Sequence, residues 1–114
     1  MAIDYVAIAN TDTDLVVVPA GKQYAITTIM VCNTWALVNN PEDELDGLTN
    51  FDMHFVKSGG TKSAVNQVIN QLEIPAGETF TFDSEKIILS EGDKIVVVGD
   101  SPTNLSAMVS WLEV

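Results

Sequence analysis

Arginine is missing from this 114-residue chain, and its five lysines face 16 aspartates and glutamates, for a formal net charge of −11 at pH 7. Neutralising phosphates takes clustered Lys and Arg, so nucleic acid is not an expected partner, and an anionic membrane face is disfavoured for the same reason. The lack of Arg also removes the usual planar, bidentate clamp for phosphate or carboxylate substrates. Cys32 is the single cysteine, which excludes an intrachain disulfide and gives no sign of an oxidising compartment. Long apolar runs are absent too. No stretch approaches the roughly 18 uninterrupted apolar residues of a membrane span, and Met1-Ala2-Ile3-Asp4-Tyr5 has neither a basic region nor a long apolar core of a secretory signal. The expectation is a soluble protein of cytosolic manufacture.

What the chain does have is hydrophobic residues, at 46%, enough for a single domain over residues 1–114 with one ordinary core. Apolar and β-branched runs alternate with Asn, Asp, Gly, Pro and Ser clusters, which predicts strands over 3–9, 14–18, 23–33, 51–57, 78–83, 86–89, 94–99 and 105–113. Two-residue alternation is clearest at Phe51, Met53 and Phe55, at Phe80 and Phe82, and at Leu105, Ala107, Val109 and Trp111. Those positions should face the core. Only Ser63 to Leu72 offers a helix, because Val65, Val68, Ile69 and Leu72 fit a helical spacing.

One echo bears on architecture. Val18-Pro19-Ala20-Gly21-Lys22-Gln23-Tyr24 recurs as Ile74-Pro75-Ala76-Gly77-Glu78-Thr79-Phe80, each a Pro-Gly turn that feeds a strand opening on an aromatic. Two similar halves or two similar corners would both produce it. Ser90-Glu91-Gly92-Asp93 makes another tight turn. About eight strands with turns every ten or so residues predict an all-β fold, an antiparallel two-sheet β-sandwich of jelly-roll type. The longest loop should lie between Asn39 and Asn50, where four acids gather, and Ser58-Gly59-Gly60-Thr61 should be a second exposed loop, flexible by composition.

Groups able to carry chemistry are sparse. His54 alternates onto the polar side of its strand, so an exposed or half-exposed strand residue is expected rather than a metal ligand. Cys32 sits in the apolar run Ile29-Met30-Val31, and a buried thiol without a basic neighbour is inert. Glu42, Glu44, Asp46 and Gly47 imitate positions one, three, five and six of a calcium loop. The match fails at position twelve, where Met53 replaces the bidentate Glu, leaving a solvated acidic loop. Gly59-Gly60-Thr61-Lys62-Ser63 lacks the leading Gly and the Gly-Lys pair of a phosphate loop. Trp35 and Trp111 could form a sugar-stacking platform with the loop carboxylates, although two tryptophans in a small β domain more often belong to a core or a subunit interface. No enzyme, cofactor or metal is expected, and Trp35, Glu42, Glu44, Asp46 and Trp111 are the candidate ligand or interface contacts.

Taken together, Val18 to Lys22, Ile26 to Asn33, Ile74 to Phe80, Ile88 to Ile95 and Leu105 to Val114 resemble small virion structural proteins of tailed bacteriophages, especially those of marine cyanophages. The resemblance covers most of the chain and fails chiefly in the acidic loop and over residues 58–72. It implies a compact β-sandwich assembling in many copies on the particle, with the virion as its location and the host bacterial cytoplasm as its place of synthesis. It further implies a homo-oligomer, with a trimer as one form, and other virion proteins as partners. A capsid decoration protein bound to the major capsid protein of the assembled head is the leading expectation. A tail, baseplate or fibre component is the alternative, and a carbohydrate-binding jelly-roll module a second.

Overall fold

The computed structural model describes residues 2–36, 46–82, 87–101 and 103–114. Among them nine strands form: β1 (Ala2–Ala7), β2 (Thr13–Val17), β3 (Gln23–Asn33), β4 (Thr49–Val56), β5 (Gln67–Ile74), β6 (Thr79–Phe82), β7 (Ile87–Ser90), β8 (Lys94–Gly99) and β9 (Leu105–Glu113). Sheet A runs β1-β9-β3-β6, with β7 also on β3, and sheet B runs β2-β8-β4-β5. Every pairing is antiparallel: β1 with β9, β2 with β8, β3 with β6, β7 and β9, and β4 with β5 and β8. Since β6 and β7 share the same flank of β3, there are eight strand positions. The chain is one long hairpin, closed at the β4–β5 tip and rolled so that successive pairs fall in alternate sheets. That is the jelly roll expected from the spacing of turns.

The alternation in sequence explains which face is buried. Ile29, Val31, Val109, Phe51, Met53, Ile95 and Val97 are fully enclosed between the sheets, and Phe55, Phe80 and Phe82 pack against them. Each of the larger side chains contributes about 2 to 3 kcal/mol of hydrophobic stabilisation. Phe51 and Phe80 bring their rings to 6.2 Å across the sandwich, and Phe55 meets Phe82 edge-on at 6.4 Å.

The repeated Pro-Ala-Gly motif marks corners, since both copies lead from sheet B to sheet A. In each, the residue after Gly donates its N–H to the proline carbonyl, Lys22 to Pro19 at 3.2 Å and Glu78 to Pro75 at 3.1 Å. The glycines take φ +77° and +79°, the second central position of a type II turn. Ser90 to Asp93 repeats this geometry in the reverse crossing from β7 to β8, with Asp93 N–H on Ser90 O at 3.0 Å and Gly92 at φ +82°. Type II turns thus serve three corners of the roll.

Residues 63–72 do not form the helix their spacing suggested. A single 3-10 turn, Ala64–Asn66, is followed by β5. Leu72 pairs with Phe51 and Ile69 with Met53, so three steps along β5 match two along β4. The extra residue is accommodated at Gln71, whose φ of +49° and N–H donated to Asp52 Oδ1 (2.7 Å) define a bulge. The bulge turns Ile69 and Leu72 to the same side and so mimics helical periodicity, while Val65 is 96% exposed.

His54 is also corrected: it is only 5% exposed. It does point away from the core, but residues 57–66 fold back across the outer face of sheet B and bury it together with Val56 and Val96. His54 Nδ1–H donates to Asn66 Oδ1 (2.9 Å), Asn66 Nδ2 donates to Thr61 O, and Lys62 reaches Asp12 at 2.9 Å. The Ser58 loop is therefore anchored, its backbone N–H held by Asp93 Oδ1 at 2.9 Å.

Two outcomes test this architecture. A Cβ on Gly92 would collide with the Ser58 hydroxyl and lie 2.7 Å from Ser58 Cβ, whereas one on Gly21 meets nothing within 4 Å. Gly92→Ala should therefore cost about 1 to 2 kcal/mol more than Gly21→Ala in urea unfolding, with the excess removed in a Ser58→Gly background. Termination after Met108 strips half of β9, the strand between β1 and β3. The truncated chain should show no cooperative thermal transition, and a sharp one would contradict the central place of β9.

Candidate interaction surface

Register fixes the composition of the outer face of sheet A. Tyr5, Met108, Met30 and Thr81 lie side by side in one cross-strand row. Ile3, Ser110 and Thr28 form the next, and Leu112, Ala25 and Ile88 the one after. Beyond the Tyr5 row come Ala7, Ser106, Cys32 and Thr79. No Asp, Glu, Lys or His occupies any of these positions. On a chain of net charge −11 this is the surface from which charge has been withheld.

It is also apolar. Tyr5 is 75% exposed and Ile3 62%, while Ile88, Leu112, Met108 and Met30 are each exposed by more than a third. A shallow hollow of about 430 Å³ opens between Tyr5, Met30, Cys32 and Met108. Contiguous exposed apolar surface on this scale marks contact sites. By contrast, the outer face of sheet B carries Asp14, Lys94, Asp52 and Glu73. Lys94 approaches Asp14 to 4.0 Å there.

Sheet edges offer less. On β1, Asp4 pairs with Val109 and so projects on the core side at an exposed position, a charge that an added strand would have to bury. Register breaks on β2 between Asp14 and Val16, and on β5 opposite Met53, disrupting the ladders that a foreign strand would extend.

The candidate contacts read from the sequence do not converge. Trp35 lies just beyond β3, 36% exposed, with its side chain against Gly47. Trp111 pairs with Ile26 near the opposite end of β3 and stacks on Tyr24 at 4.7 Å, half-buried on the core side. The run from Ile26 to Asn33 alone separates them by about 23 Å at about 3.3 Å per residue, so they form no common platform. Asp46 is exposed beside Gly47, and Glu42 and Glu44 lie outside the described residues. Cys32 is half-buried on the outer face rather than within the core. Among the described residues, no three His, Cys, Asp or Glu side chains gather as a metal site would require. Glu113 beside Lys22 (2.8 Å) raises that ammonium above its ordinary pKa, first by hydrogen bonding and then by charge.

No family model, curated protein or solved structure matches the chain. Among the described residues no helix is long and apolar enough to cross a membrane.

Sequence reasoning passed over Asn33, 1% exposed. Its Nδ2 donates to Gly47 O (2.7 Å) and Ile74 O (2.8 Å), and its Oδ1 accepts from Trp35 N–H (3.0 Å) and Asn104 Nδ2 (2.6 Å). Its backbone N–H donates to Glu78 O and its carbonyl accepts from Gly77 N–H. The signal was an amide on the inward series Ile29, Val31, Asn33. Asn33→Ala should cost about 2 to 4 kcal/mol, because Ile74 O and Trp35 N–H lose the Asn33 side chain and Gly47 O keeps only Asn104 Nδ2. Asn33→Asp should also destabilise the fold near pH 7, since it sets an oxygen against Gly47 O or Ile74 O; urea midpoints measure both.

Proposed function

We propose that this chain is a non-enzymatic structural component of a tailed-phage virion, a capsid decoration protein that binds the assembled head in many copies. The observation that carries the reading is the uncharged, apolar outer face of sheet A on a strongly acidic chain. Such a face is costly to leave in water and fits a molecule that finishes folding as a monomer and completes its burial on assembly. Acidic residues everywhere else keep the unassembled chain soluble.

The sequence resemblance to small phage virion proteins maps onto the same features. Val18 to Lys22, Ile74 to Phe80 and Ser90 to Asp93 are the corners, while Ile26 to Asn33 and Leu105 to Val114 are the two central strands of sheet A. Jelly rolls serve in viral capsids and in lectins, a fold-level analogy compatible with this role. The separation of Trp35 from Trp111 removes the paired-aromatic argument for a sugar site.

Antibody raised against the recombinant chain, visualised with gold on intact phage particles from the source, tests the proposal. Label over the heads is the expected outcome. Label confined to tails would reassign the chain to a tail, baseplate or fibre structure, and no label on any particle would overturn the virion reading.

A further inference from the structure

We infer that the outer face of sheet A is covered by a second copy of this chain, packed face to face about a two-fold axis that runs along the Thr28–Ser110 row. The inference rests on reading that face as an assembly surface, and it names the occupant.

Charge comes first. Two bodies of net charge −11 repel, and the repulsion is least where the approaching surfaces carry none. A cationic partner would find its complement in the carboxylates of sheet B and the loops; the uncharged face complements only another uncharged face, and each copy supplies one. Like charge kept to the periphery also favours a closed pair, since further copies would have to add through acidic surface.

Area comes second. At about 3.3 Å per residue and about 4.8 Å between strands, sheet A covers about 540 Å² in projection, before side-chain relief is added. A specific interface needs about 500 Å² from each partner, and a standard one uses about 800 Å². The face is the right size for one pair.

Shape comes third. The Thr28–Ser110 row is flanked by the Met30 and Met108 row on one side and by the Ala25 and Leu112 row on the other. A two-fold axis along the middle row exchanges the flanks, so Met30 of one copy lies over Ala25 of the other and Met108 over Leu112. Long, flexible methionines meet a small residue and an aliphatic one, while hydroxyls meet hydroxyls across the axis. Thr27 Oγ1 and Ser110 Oγ are already hydrogen-bonded at 2.6 Å, so their first partners do not depend on the contact.

The test is mass by sedimentation equilibrium across a micromolar concentration series, with alkylation of Cys32 as a second readout. A dimer is expected, with Cys32 alkylating more slowly as the dimer fills. Met108→Glu should weaken the pair at least 100-fold, with the thermal transition of the native chain measured below its pairing concentration, because Met108 is exposed on the monomer. Val68→Glu, on sheet B, should leave the pair unaffected. The orientation is read by mixing Met108→Lys with Leu112→Glu: each alone should be monomeric, and together they should pair. A monomer at every concentration, or a trimer, overturns the inference. If the chain is monomeric yet tagged Met108→Glu no longer incorporates into particles, the occupant is another virion protein and the assembly reading survives. If that substitution changes neither mass nor incorporation, both fail.

Discussion

One buried amide holds the corners of the roll together. Asn33 ends the longest strand, and its side chain reaches the far end of the β3–β4 crossover at Gly47, the end of β5 at Ile74 and the β8–β9 connection through Asn104. A rolled hairpin leaves carbonyls at each crossing with no ladder partner, and a buried carbonyl without a donor costs about 1 to 3 kcal/mol. Asn carries two donors and an acceptor in one plane, so a single residue serves several such orphans. Asn104 completes the node by donating to both Asn33 Oδ1 and Gly47 O. Turning its amide over would set oxygen against oxygen, so its Oδ1 is left buried without a protein donor. The network satisfies Asn33 in full at the expense of Asn104, which identifies the residue that fixes the geometry.

Much of the fold was legible because local pattern and tertiary environment agree. The bounds of β3, β8 and β9 follow directly from alternation bounded by turn residues, and the corners from glycine at positions that require positive φ. Legibility ended where one residue of displacement alters the period. At β5 the bulge beside Gln71 shifts the apolar spacing from two to three, and no single-strand pattern distinguishes that from a helix. It ended again at His54, whose burial depends on a segment beginning three residues later. The tryptophans illustrate the same limit, since only the pairing of β9 with β3 reveals that they sit at opposite ends.

The interaction face was half legible. Leu105, Ala107, Val109 and Trp111 read as the core positions of β9, which leaves Ser106, Met108, Ser110 and Leu112 as the alternate series. Alternate positions without charge on two neighbouring strands are visible in one dimension. What the sequence alone withholds is that β1 lies next to β9 and adds Ile3 and Tyr5, turning two uncharged stripes into a surface.

A jelly roll has two outer faces, and this chain treats them differently. Over sheet B, residues 57–66 supply the cover themselves, held by the His54–Asn66 hydrogen bond, the Lys62–Asp12 ion pair and the contact of Asp93 with Ser58 N–H. Val56 and Val96 are buried beneath it although they point away from the core. Over sheet A no described segment does the same, and residues no less apolar stand open to water. Covering them internally would take another loop of about ten residues, with its ordering entropy of about 1 to 2 kcal/mol per residue. A second surface that is already folded carries no such backbone cost, and Asp4 on β1 with the register breaks on β2 and β5 favours the face over those edges as its route. The asymmetry between the two faces is therefore the physical basis of the proposed assembly: residues 57–66 cover one face within the monomer, and the other is left open for a partner.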